Sequence, residues 1–240
     1  MRWYQTAWGV ALLGLGGLVL FGLLAFGVIT VNFLWQIKHG QGDFLQQQVY
    51  SGFTSLQVKN QSSEKVDRNA LENGDFPFLG NPNASTTIVV FGDFRCPYTK
   101  EAWPTVEKLA NKYGYKIKVI YRQFPAESIH AGTTKISQIG ACAHSQGKYW
   151  AVHNYLFAKQ DSLPLYLAAE DLASLASDTD LELDKLTKCL DSSATSIKVN
   201  RDYADGFRFG VGGTPTFFVN GKKLEGVVPW ETWEKYIKTL

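Results

Sequence analysis

Charge of either sign is in short supply. Lys and Arg number 24 against 22 Asp and Glu, a formal balance of +2, and no dense basic face is visible. That argues against nucleic acid as a partner. Histidine is scarce as well: His39, His130, His144 and His153 are scattered, and no Cys/His pair has zinc-finger spacing, so no metal site is expected. A glycine-rich nucleotide loop and a serine nucleophile elbow are both missing, which leaves out two common designs for phosphate binding and acyl transfer. Cysteine occurs three times, at 96, 142 and 189, an odd number. The longest absence is near the start, where no residue from Trp3 to Ile37 carries a charge.

That uncharged run is what the N-terminal part does contain. Its centre is almost wholly apolar, and about 20 such residues suffice for a helix to cross a bilayer. Trp3, Tyr4 and Trp8 at one end and Phe33 and Trp35 at the other suit the two interfaces. A cleaved signal peptide would have an apolar region of roughly 7–15 residues and a small-residue cleavage site. Phe33-Leu34-Trp35-Gln36 is a poor one. The expectation is a single transmembrane anchor over 7–36, after a short N-terminus of residues 1–6. Arg2 and Lys38 flank it almost symmetrically, so charge alone barely decides the orientation. Residues 37–74, with Gln46-Gln47-Gln48 and Asn60-Gln61-Ser62-Ser63, read as a polar linker.

From about Asp75 the pattern is that of an α/β domain. Thr86 to Phe91 is an apolar β-type run, followed by Cys96-Pro97-Tyr98-Thr99 and a helical run from Pro97 to Tyr113 that contains Pro104. A cysteine at a strand-to-helix junction meets free backbone N–H groups and the positive end of the helix dipole, which favour the thiolate. Thr99 stands one turn further on, where its hydroxyl is placed to face Cys96 and donate to it. A dithiol redox motif would carry a second cysteine there. A strand over Lys116–Arg122 comes next. A mainly helical stretch follows, from about Ser128 to Phe209, in which Leu172, Leu175 and Ala176, then Leu183, Leu186 and Leu190, fall at helical spacing. Gly213-Thr214-Pro215 then leads into strands at Thr216–Val219 and Lys223–Val227, and a last helix covers Trp230–Lys238.

Four segments in this order resemble the DsbA-like thiol-disulfide oxidoreductases of the thioredoxin superfamily. They are Asp75-Phe76-Pro77 with Leu79 to Ala84, Phe91 to Tyr98, Cys142 to Trp150 with His153 and Leu156-Phe157, and Gly213 to Gly221. The resemblance implies a thioredoxin-like fold over 75–240 with an inserted helical domain at about 128–209, preceded here by the single transmembrane helix. It implies Cys96 as nucleophile, with Pro97 and Tyr98 completing the motif. It also implies a cis bond before Pro215, which would set the Thr214 backbone beside Cys96 to pair with an extended substrate. Phe94 and Tyr98 are equally plausible as substrate contacts and as packing residues. His130 is placed to approach the thiol from the start of the helical block.

Such modules work where disulfides form, outside the cytoplasm, so the domain is expected on the extracytoplasmic side of the cell membrane. Cysteine-containing exported proteins would be its substrates. A small thiol or a membrane redox partner is compatible with the chemistry, and no organic cofactor or metal is implied. With Cys96 free, Cys142 and Cys189 either form a structural disulfide, stay as two buried thiols, or supply one thiol that resolves Cys96. Thr99 departs from the family pattern and puts ordinary dithiol cycling in doubt. Two functions remain open: exchange through the single thiol of Cys96, or a degenerate module that binds extended polypeptide without turnover.

Overall fold

The computed structural model describes residues 65–239 and, apart from these, the helical positions 17, 19–28, 30 and 31. These fall in two separate units. In the first, Leu20, Phe21, Leu23, Leu24 and Phe26 are exposed, and the Thr30 hydroxyl donates to the Phe26 carbonyl at 2.8 Å. No helix among the described residues is long and apolar enough to cross a membrane. The rest of the run expected to be an anchor, and the linker up to residue 64, lie outside the described residues, as does His39.

The second unit is built on a five-stranded sheet in the order β1-β3-β2-β4-β5. The strands are β1 (Phe78–Gly80), β2 (Thr86–Gly92), β3 (Ile117–Gln123), β4 (Thr216–Val219) and β5 (Lys222–Glu225). β2 and β3 run parallel; β4 is antiparallel to β2, and the two outer pairs are antiparallel. β2 is buried along its whole length, as a strand covered on both faces must be, which is why its sequence shows no polar alternation. Its side chains divide by parity. Ile88 and Val90 join one core with Val119, Tyr121, Phe217 and Val219, while Val89 and Phe91 join another with Ile120, Phe124 and Phe218.

Helix α1 (Arg68–Glu72) packs against the second core, with Leu71 fully buried. The folded unit therefore begins before Asp75, inside the stretch that composition suggested was linker. Helix α2 (Pro97–Tyr113) runs without a break through Pro104. It turns Ala102, Trp103, Val106, Leu109, Ala110 and Tyr113 onto the first core, the three-and-four spacing of a one-sided helix. The insertion between β3 and β4 comprises α3 (Thr133–Ser145), α4 (Tyr149–Ala158), α5 (Ala169–Thr179), α6 (Leu183–Asp191) and α7 (Ser193–Arg208). Cys142 of α3 and Cys189 of α6 are joined by a disulfide, with Cα atoms 5.8 Å apart. This selects one of the three states that the sequence left open. Helix α8 (Trp230–Lys238) closes the domain, seating Trp233 against Phe217.

Candidate active site

The topology brings two distant loops together. β4 is antiparallel to β2 with Phe91 opposite Thr216. The chain entering β4 therefore lies beside the chain leaving β2, and Thr214 meets Cys96. The Thr214–Pro215 bond is cis. Cys96 Sγ lies 3.1 Å from the Thr214 carbonyl oxygen, to which the thiol donates. Gly212 and Gly213 are exposed beside Thr214, and the Thr216 hydroxyl holds their turn by donating to the Gly213 carbonyl at 2.7 Å.

Cys96 is the N-cap of α2, in extended conformation, with Pro97 as the first helical residue. Proline suits that position because the N–H it lacks would have had no partner within the helix. The thiol is 3% exposed and is the one free cysteine among the described residues. Pro97 is exposed and Tyr98 half-buried. Thr99 is buried, but its hydroxyl oxygen faces the Asp93 backbone N–H, at 3.5 Å. The Thr99 hydroxyl makes no hydrogen bond to the Cys96 sulfur, contrary to the expectation from its place one turn along. Phe94 is fully buried, stacked on Tyr121 at 5.7 Å and beside Phe157 at 5.3 Å. Of its two possible roles, Phe94 therefore takes packing.

Asp93, which was not singled out in the sequence, organises this loop from below. Its carboxylate is fully buried and accepts from Arg95 N at 2.8 Å, from Ala126 N at 3.1 Å and from the Thr133 hydroxyl. His130 Nδ1 lies 2.8 Å from the same carboxylate. The Asp93 carbonyl accepts from Cys96 N at 3.1 Å, closing the turn before the helix. His130 thus belongs to the floor of the site through Asp93, with its side chain 21% exposed.

The insertion holds the loop from the other side. Gln160 Nε2 donates to the carbonyls of Phe94 and Cys96 at 2.8 and 3.1 Å. The Arg95 guanidinium donates to the Leu163 and Leu165 carbonyls at 3.4 and 3.5 Å, and also to that of Pro164. Lys100 pairs with Asp161 at 2.6 Å. Beneath these, Tyr121 is fully buried, and burial raises its phenol well above the ordinary range. The absent Cβ of Gly92 makes room for that phenol, since a β-carbon there would stand 2.3 Å from the hydroxyl.

The other two described histidines, His144 and His153, take no part in the hydrogen bonds around the thiol. His144 pairs with Asp75 at 2.8 Å. His153 is fully buried among aromatic rings, and burial lowers it from 6.5 to about 3, so it stays neutral. No group of three or more metal-ligating side chains occurs among the described residues.

The sequence and the fold are similar to those of known proteins. The family model described as Thioredoxin matches residues 72–239. The Na(+)/H(+) antiporter NhaA 1 of Salinispora arenicola is 32% identical over 147 residues, which make up 61% of this chain and 22% of that protein. The chain thus spans about a fifth of the length of the curated relatives it matches. Among solved structures, a thioredoxin-like oxidoreductase from Silicibacter pomeroyi superposes with a TM-score of 0.62 at 24% identity, over 72% of this chain and 97% of that one. The thiol-disulfide exchange protein alpha-DsbA2 from Wolbachia pipientis superposes with a TM-score of 0.63 at 19% identity, over 72% and 90%.

Proposed function

Because the chain belongs to the thioredoxin family, we propose that it is a DsbA-like thiol-disulfide oxidoreductase that works through one thiol, Cys96. The observation that carries this reading is the position of that thiol. Cys96 occupies the N-cap position of α2, and its thiol donates to the Thr214 carbonyl at the mouth of β4.

In the reaction, Cys96 gives up its proton and becomes a thiolate at the N-terminus of α2. The thiolate attacks one sulfur of a substrate disulfide. A Cys96–substrate disulfide forms, the old S–S bond breaks, and the departing thiolate takes up a proton. Thr99 has no sulfur with which to resolve this intermediate, and Cys142 and Cys189 are bonded to each other. Release then falls to a second thiol of the substrate or to a small external thiol, whose sulfur replaces Cys96 in the disulfide. The substrate backbone lies along Thr214, whose carbonyl accepts a substrate N–H in place of the Cys96 thiol.

Exported proteins with cysteines are the substrates, and the domain stands outside the cell membrane on an anchor over 7–36. The uncharged run from Trp3 to Ile37 supports the anchor. A second reading, a module that binds chains without turnover, draws on the 3% exposure of Cys96 and on Thr99.

An exchange assay separates the two. A scrambled-disulfide substrate incubated with the protein should regain activity and leave a trappable mixed disulfide on Cys96. Cys96→Ser should abolish both, and Thr99→Cys should add dithiol oxidase activity. Substrate capture with no mixed disulfide, and no gain in Thr99→Cys, would favour the binding module.

A further inference from the structure

One side chain of the helical insertion reaches the backbone of the nucleophile itself. Gln160 opens the short 3-10 turn Gln160–Ser162 after α4 and is half-buried. Its Nε2 group donates to the Phe94 carbonyl at 2.8 Å and to the Cys96 carbonyl at 3.1 Å. These two oxygens lie on either side of Arg95, in the turn that presents the thiol. The Cys96 carbonyl also accepts the first bonds of α2, from Thr99 N at 3.1 Å and Lys100 N at 3.2 Å.

Carbonyl oxygens carry negative partial charge, and two of them in the turn that bears a forming thiolate oppose its charge. A donor bridging both offsets that charge and fixes the direction in which they point. A half-buried carboxamide with both bonds on one loop makes its contacts where packing alone would not require them. The surrounding bonds point the same way. Arg95 donates to the Leu163 and Leu165 carbonyls that follow the 3-10 turn, and Lys100 pairs with Asp161, so several bonds tie the insertion to the loop.

We propose that Gln160 is a positioning residue for Cys96. Acting from the insertion, it holds the 94–96 turn in the form in which the thiolate is tolerated. The inference rests on reading Cys96 as the nucleophile. The charged and titratable groups next to Gln160 or to the loop that it bonds are Arg95, Lys100, Lys159, Asp161 and Cys96 itself.

The test is the rate of Cys96 alkylation by iodoacetamide across pH in the full chain, in detergent, alongside the thermal midpoint. Gln160→Met keeps the length of the side chain and removes both donors. It should slow alkylation about 5- to 30-fold, as expected for the loss of one or two such bonds. Gln160→Glu supplies a sharper signature. Its carboxylate accepts but does not donate, so it should be slower still near neutrality. It should then recover relative to the wild type as the carboxyl takes up a proton near its ordinary value of about 4.3 and regains an O–H donor. A purely structural Gln160 would lower the thermal midpoint while both variants kept the wild-type rate profile, and that result would overturn the proposal. Disulfide exchange by the wild type is read separately. Its absence would count against Cys96 as an exchange catalyst, while the alkylation profiles would still decide the role of Gln160.

Discussion

Replacing His153 with phenylalanine should flatten the acid limb of this protein's stability curve. The imidazole is fully buried, its centroid 4.0 Å from that of Trp103 and 4.7 Å from that of Phe157. Nδ1 lies 3.0 Å from the Asn154 side-chain oxygen, and Nε2 has no partner. A charged ring there would be desolvated with no counter-ion, and burial accordingly lowers its pKa from 6.5 to about 3. Between those two values the unfolded chain binds a proton that the native state refuses. Stability therefore rises with pH through that window, by about 1.36 kcal/mol per unit. The contribution is complete above the unfolded value and is lost as pH falls. At about pH 4.5, two units below the ordinary value, the loss amounts to roughly 2.7 kcal/mol.

Phenylalanine keeps the ring and binds no proton. The wild-type curve should therefore lose about 2.7 kcal/mol more than that of His153→Phe between about pH 7.5 and about pH 4.5. Denaturant unfolding followed by tryptophan fluorescence at several pH values gives both curves. Curves that stay parallel, separated by a constant offset, would mean that His153 titrates alike in both states and would refute the reasoning.

Two further predictions concern the insertion and its seat on the sheet. The Cys142–Cys189 bridge spans 47 residues. In the chain-entropy model, the double variant Cys142→Ala, Cys189→Ala should lose roughly 4 kcal/mol in denaturant unfolding, and an unchanged midpoint would count against this. Arg122 is 1% exposed and bonds Asp202 Oδ1 through Nε and Nη2, at 3.0 and 2.8 Å, and Asp205 at 2.6 Å. Arg122→Met strands Asp202, whose carboxyl is already raised by burial, and should cost about 3–5 kcal/mol. Adding Asp202→Asn should recover part of that loss in the same unfolding assay, and strict additivity would show that the pair is uncoupled.

What could be read in advance followed from signals that are local. β2 is a mainly apolar run followed, after three residues, by Cys-Pro, and α2 carries its apolar face at regular spacing, so both could be placed along with the thiol between them. Helix α1 and strand β1 are too short for periodicity to register. α1 buries one side chain, Leu71, in the domain and is also held by Arg68, which donates to the Ser85 carbonyl and the Thr87 hydroxyl. The break between α6 and α7 hangs on one residue, Ser192, whose hydroxyl accepts from Ala194 N at 3.3 Å. The lower part of the site was hidden for a different reason. Asp93 matters because residues 126–133 fold back onto it, and Gln160 because a turn 64 residues beyond Cys96 comes to rest on the loop. Spacing along the chain carries no trace of either contact. Thr99 shows the complementary limit. Helical spacing put it near Cys96, but the Asp93 N–H decides where its oxygen points.

The central claim is that Cys96 is a reactive thiol, and the most direct test is its alkylation as a function of pH in the full chain, read by peptide mass under non-reducing conditions. The account predicts one reactive thiol, at Cys96, alkylated faster than a free cysteine under the same conditions, with the Cys142–Cys189 pair recovered as a disulfide. A Cys96 that stays slow or inaccessible across that range would contradict the account and leave a thioredoxin-fold binding domain.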